Sequence, residues 1–186
     1  MIFNLPNTLT WIRIVAIPMV VVVFFLPVPW SGPVAGLLFA LAGITDLLDG
    51  YLARRLGQTS KFGAFLDPVA DKLIVATALV LLVQHDPTLY IAVVAAIIIG
   101  REITVSALRE WMSEVGARTR VAVSFIGKWK TTVQIVGISL MLYRQPIFGL
   151  PTYAIGLALL FIAAALTVFS MLDYLRSAWP VLQRSD

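Results

Sequence analysis

Four aspartates of this chain stand where a side-chain charge is hardest to keep. Asp46 and Asp49 end an apolar run that begins at Pro33, and Asp67 and Asp71 open another that turns wholly apolar after Lys72. Spacings of three and four put each pair on one face of a helix. The two helices are consecutive and joined by a short connection, so we expect them to pack antiparallel with their carboxylate faces meeting. A lone ionised side chain in a membrane helix costs at least ~2.5 kcal/mol, and four converging carboxylates also repel one another. Such a cluster needs protons or cations. Arg54, Lys61 and Lys72 can neutralise part of it. Carboxylate oxygens in this number suit a hard divalent ion, Mg²⁺ or Mn²⁺. With no cysteine and one histidine, the usual zinc donor sets are not on offer. A structural ion-pair network, a proton relay and a cation-transport path are the other uses of such a cluster. Gly50 and Gly63 favour a ligand, because each lets a backbone or substrate approach closely; ordinary helix packing is the plain alternative for either glycine alone.

These residues need a scaffold, and the composition says which solvent it sits in. Of 186 residues, 60% are apolar and only 13% charged, against about 25% charged in an ordinary soluble domain. One small soluble core cannot hide that much apolar surface, whereas lipid can accept it. The absence of cysteine excludes disulfides and thiolate metal sites. The first apolar run starts almost at once, lacks a small-residue cleavage site and ends among Pro27, Pro29 and Pro33, so it reads as a span and not as a cleaved signal peptide.

Six runs approach the ~20 residues a spanning helix requires: 8–28, 33–55, 62–84, 88–112, 121–144 and 151–176. Proline and glycine signals separate several of them, at Pro27 to Pro33, at Asp86-Pro87 and at Gln145 to Pro151. A single all-α domain over residues 1–186 is the economical expectation. Thirteen of the fourteen Lys and Arg residues fall toward one side of that map, and only Arg144 toward the other. The bias predicts cytoplasmic N and C termini and a site at the cytoplasmic end of the bundle. The net charge of +4, spread between apolar runs, points to anionic lipid head groups or phosphorylated substrates and not to nucleic acid.

Written out, the acidic segment is Asp46-x2-Asp49-Gly50-x2-Ala53-Arg54-x8-Gly63-x3-Asp67-x3-Asp71. It resembles, with every spacing intact, the signature of the CDP-alcohol phosphatidyltransferases. The six-span layout is also similar to that family's, so the likeness covers nearly the whole chain. It implies an integral membrane enzyme that takes CDP-diacylglycerol, displaces CMP and joins the phosphatidyl group to an alcohol. By the same likeness, Asp46, Asp49 and Asp67 bind metal, a pair of Mg²⁺ or Mn²⁺ ions, and Asp71 lies close to the metals and acts as general base. Gly50, Ala53, Arg54 and Gly63 match the part of the motif that lines the CDP site, and Asn7 and Thr10 are placed near the nucleotide. Arg54 suits a planar, two-pronged phosphate contact.

The signature gives the reaction and not the acceptor. Arg101, Arg109, Arg118, Arg120, Lys128 and Lys130 crowd the cytoplasmic end of the fourth and fifth spans. A cluster so dense suits a second phosphate, hence a phosphorylated alcohol; topology and anionic lipid are the plain reading of any one of them. Asn7 to Arg13, Gly100-Arg101-Glu102, Ser106 to Trp111 and Gly127 to Thr131 together resemble the bacterial inner-membrane branch of the family that uses sn-glycerol 3-phosphate. That implies phosphatidylglycerol phosphate as product, with Arg101, Arg109, Arg118, Lys128 and Lys130 around the acceptor, and a homodimer in the membrane. The same chemistry on inositol phosphate, serine or phosphatidylglycerol, and a divalent-cation transporter, are the rival readings. His85 is expected in an outer loop without a catalytic part. Trp11, Trp30, Trp111 and Trp179 are expected to anchor at the interface, and Arg176 to end the last span.

Overall fold

The computed structural model describes residues 5–56, 61–114 and 125–182, with side chains described over a narrower set: 8–46, 63, 65–114, 129–176 and Trp179. The expected all-helical fold is found. Six helices follow in order: α1 Leu5–Phe25, α2 Ser31–Leu56, α3 Lys61–His85, α4 Leu89–Glu114, α5 Phe125–Tyr143 and α6 Thr152–Leu182. Each follows an apolar run read from the sequence. The last continues six residues past the expected end at 176, so Arg176 lies within α6 and not at its terminus. By length and hydropathy, three of the helices can cross a membrane, over Thr8–Phe25, Leu89–Glu114 and Thr152–Arg176, and α2 holds a shorter apolar stretch, Ser31–Asp46.

The chain reverses where the sequence punctuates it. Between α5 and α6, Arg144, Phe148 and Gly149 all take positive φ, and the Thr152 hydroxyl donates to the Gln145 carbonyl at 2.7 Å, which closes the turn. Arg144 is the one cation read on the outer side. It donates to the Phe24 carbonyl at 3.2 Å and lies 4.3 Å over the Phe24 ring, so it satisfies a carbonyl in the last turn of α1. His85 is the last residue of α3, with its ring edge-on to Phe24 and Tyr153.

Because consecutive helices run up and down, one end of the bundle collects Val20 and Phe24, Phe39, Leu79 and Leu82, Ile91, Ile138 and Met141, and Leu160 into a single apolar core. The opposite end collects the chemistry-bearing residues. Close helix approach at small residues holds the bundle together. A Cβ on Gly36 of α2 would lie 2.7 Å from the Ser139 carbonyl oxygen of α5, and one on Gly156 of α6 would lie 2.7 Å from the Gly137 carbonyl oxygen. Outward faces remain apolar: Val15, Met19 and Val22 on α1, Leu37 and Leu41 on α2, and Phe161 and Phe169 on α6 are all exposed, as side chains solvated by lipid would be.

The packing corrects one expectation. α2 and α3 touch only lightly; α1 packs extensively against both, and α5 packs against α2. Among the described residues, the first helix, more than a direct α2–α3 contact, unites the two acidic segments.

Candidate active site

The carboxylates meet on α1. Arg13 is buried, 1% exposed, and its Nη1 lies against two of them: Asp46 Oδ1 of α2 at 3.3 Å and Asp71 Oδ1 of α3. One helical turn earlier, the Thr10 hydroxyl donates to Asp67 Oδ1. Residues i and i+3 of one helix therefore address three of the four aspartates. Lys72, expected to offset the acidic charge, instead turns its ammonium to the Ser106 hydroxyl of α4. Among the described residues, no three His, Cys, Asp or Glu side chains are grouped closely enough to hold a metal; Asp49 lies on α2 with its side chain outside the described residues. The donor chemistry still fits a hard divalent ion. All donors are carboxylate oxygens, and two of them already converge on one positive group.

A second cluster faces the first from α4, α5 and α6. Glu102 Oε1 accepts from Arg101 Nη1 at 2.9 Å and from Lys130 Nζ at 3.0 Å. Arg101 also donates through Nη2 to Ser170 Oγ at 2.8 Å, and Arg109 Nη2 donates to the Tyr174 hydroxyl at 2.6 Å. Both guanidinium groups lie over the Tyr174 ring, 5.9 and 5.1 Å from its centre. Arg101 and Lys130 are nearly buried, at 9% and 2% exposed. Buried cations need a paired counter-charge, and Glu102 supplies it to both. Arg109 is exposed and keeps its charge available at the mouth.

Two cavities run through these groups. The inner one, about 260 Å³, lies among α1, α2, α3 and α5, with Arg13, Asp46, Asp71, Thr131 and Gln134 above an apolar floor of Phe39, Ile74 and Ile135. The outer one, about 300 Å³, is bounded by Asp67, Asp71, Ser106, Arg101 and Arg109. Asp71, Lys72 and Glu102 belong to both walls.

Of the residues expected at the site, the structure brings Thr10, Asp46, Asp67, Asp71, Arg101, Arg109 and Lys130 to one end, together with the buried Gly63 on α3. Asn7 on α1, Asp49, Gly50, Ala53 and Arg54 on α2 and Lys128 on α5 have side chains outside the described residues, and Arg118 lies outside them altogether. Sequence reading passed over Arg13, Glu102, Gln134, Ser170 and Tyr174. Arg13 had been counted only as a topology signal and within a stretch of likeness, although it stands one turn from Thr10. Ser170 and Tyr174 carried no signal, since their part depends on where α6 lands.

Comparison with known proteins agrees with this architecture. The sequence model described as CDP-alcohol phosphatidyltransferase matches residues 3–173. A protein of Salmonella choleraesuis (strain SC-B67) named CDP-diacylglycerol–glycerol-3-phosphate 3-phosphatidyltransferase is 53% identical over 176 residues, covering 95% of each chain. Proteins of the same name from Escherichia coli (strain K12) and Shigella flexneri serotype 5b are 53% and 52% identical over the same share. A family match over nearly the whole length, with about half the residues shared, leaves one conclusion: the chain belongs to the CDP-alcohol phosphatidyltransferase family.

Proposed function

We propose that this protein transfers the phosphatidyl group of CDP-diacylglycerol to sn-glycerol 3-phosphate, giving phosphatidylglycerol phosphate and CMP, a step of phospholipid synthesis. The observation that carries the reading is the shared wall: Asp71 borders both the cavity lined by Asp46 and Arg13 and the one lined by Arg101 and Arg109. A donor pyrophosphate and an acceptor phosphate, each on its own side, would bring their reacting groups together at that carboxylate. The names of relatives sharing about half of the sequence support both substrates.

In this reading the acceptor's 1-hydroxyl attacks the β-phosphorus of CDP-diacylglycerol. The new P–O bond forms as the bond to CMP breaks, and the hydroxyl proton passes to Asp71 as general base. In this reading the displacement is direct, without a covalent intermediate. Asp46, Asp49, Asp67 and Asp71 would hold two Mg²⁺ or Mn²⁺ ions, which would offset the charge of the pyrophosphate and of the departing CMP. Arg54, Gly50, Ala53 and Gly63, with Asn7 and Thr10, line the CDP side. Arg101, Arg109 and Lys130, with Arg118 and Lys128, hold the acceptor's phosphate, and Tyr174 and Ser170 orient the two arginines. The same reading takes all six helices as spans of a bacterial inner membrane, both termini cytoplasmic, and a homodimer as the working unit, without nucleic acid as a partner.

Release of CMP by the purified protein tests the reaction. We expect it to require CDP-diacylglycerol, a divalent ion and glycerol 3-phosphate together. Serine, which brings no phosphate to Arg101 and Arg109, should give under about a tenth of that rate, since hydrogen bonds to a charged group contribute about 1.5–3 kcal/mol, and inositol phosphate and phosphatidylglycerol should each be slower than glycerol 3-phosphate. An equal or faster rate with another acceptor would overturn the choice of alcohol. Divalent-ion flux in vesicles without nucleotide, and no CMP, would overturn the reaction itself.

A further inference from the structure

Gln134 of α5 is 4% exposed and lines the inner cavity that also holds Asp71, Asp46 and Arg13. Its amide oxygen has no hydrogen-bond partner among the described residues. A buried polar group left unpaired costs about 1–3 kcal/mol, and buried amides are otherwise almost always satisfied. The cost falls on a position where the neighbouring floor is apolar, Phe39, Ile74 and Ile135, so an apolar side chain of similar length would suit the empty cavity better. A glutamine here has to be explained by what enters.

The acceptor proposed above has the fitting chemistry. Glycerol 3-phosphate carries a phosphate at one end, the attacking 1-hydroxyl at the other and a second hydroxyl between them. With the phosphate on Arg101, Arg109 and Lys130 and the 1-hydroxyl at the shared Asp71, the 2-hydroxyl lies where the two cavities meet, and Gln134 stands one helical turn from Lys130 on the same face of α5. A hydroxyl both donates and accepts, so it pairs with an amide whichever way the amide is turned. We infer that Gln134 is the specificity residue for the acceptor's 2-hydroxyl, satisfied only when the acceptor is bound. This rests on glycerol 3-phosphate being the acceptor, and it adds a discriminating contact at the neutral part of the molecule, where charge cannot select.

Gln134→Met keeps the length of the side chain and removes the amide. The variant and the parent are compared with two acceptors, glycerol 3-phosphate and 3-hydroxypropyl phosphate, which lacks the 2-hydroxyl. The parent should favour glycerol 3-phosphate by about tenfold in kcat/KM, as expected for one buried hydrogen bond, and the variant should treat the two acceptors alike. The KM for CDP-diacylglycerol should stay put, and the substrate-free variant should melt no lower than the parent. A preference that survives in Gln134→Met overturns the inference, and so does a loss confined to the donor KM. A substrate-free variant that melts well below the parent gives Gln134 a structural role and overturns it as well. Failure of the parent to use glycerol 3-phosphate at all would fall on the proposed reaction instead, so the two failures are separable.

Discussion

At the scale of single residues, Arg13 decides whether the acidic site can assemble. Its guanidinium is almost wholly buried and touches Asp46 and Asp71 from two different helices. Without the positive group, the two carboxylates repel across the inner cavity. The cost lies between the ~1 kcal/mol of an exposed pair and the ~3–5 kcal/mol of a fully buried one, since the aspartates are each about a third exposed. Arg13→Gln should therefore melt lower than the parent in chelator and lose most of its CMP release. Added Mg²⁺ should raise its melting temperature more than the parent's, because a bound divalent ion replaces the missing charge and stabilises by mass action. A variant with the parent's melting temperature and the parent's response to Mg²⁺ would remove Arg13 from this role. Glu102 makes the mirror-image arrangement, one carboxylate oxygen between two cations. Each side is thus only half compensated before any substrate arrives, with one cation for two aspartates and one carboxylate for two cations.

At the scale of helices, the site depends on how closely α2 and α5 approach. α2 brings Asp46 and α5 brings Lys130 and Gln134, and between them Gly36 lies under Ser139 and Tyr143. A methyl group there would sit 2.7 Å from a backbone carbonyl oxygen, which no rotamer change relieves. Gly36→Ala should push the helices apart and cost about 1–3 kcal/mol, a drop of roughly 2–4 °C per kcal/mol for a chain of this size, with activity falling alongside. Gly100→Ala is the matched control. Its Cβ would meet nothing within 4 Å, so its melting temperature should hold or rise slightly on helix propensity. Equal losses in both variants would mean that close approach at Gly36 does not matter. The helices themselves were legible, because hydropathy and proline punctuation are local signals. Their partners were not. Short connections suggested that α2 and α3 pack together, yet α1 lies against both, and nothing local to either segment could report that. For the same reason the aspartates were legible as misplaced charges, while Gln134 and Tyr174 were not: an amide or a phenol in an apolar run becomes informative only once its neighbours are known.

At the scale of the whole molecule, polarity is divided between two ends and not between inside and outside. The apolar core fills one end, while the other holds Arg13, the aspartates, Glu102 and the basic residues. A CDP-lipid and a small phosphorylated alcohol both present their charged parts at a membrane surface, so an end-on site is what the substrates demand. If the site faces the cytoplasm, where the Lys and Arg bias puts it, then the α5–α6 connection must lie on the far side and the C terminus on the near side. The chain has no cysteine, so single cysteines can be introduced without removing any. Phe148 in that connection is 99% exposed and is the natural reporter for the far side; Ser185 serves for the C terminus. In intact bacterial cells whose outer membrane admits a charged maleimide, Phe148→Cys should be labelled and Ser185→Cys should not, until the inner membrane is opened. The reverse pattern would put the aspartates on the side away from the cytoplasm and overturn this orientation. Labelling of both positions in intact cells would mean that α6, which lies between them, does not cross the bilayer, against its length and hydropathy over Thr152–Arg176.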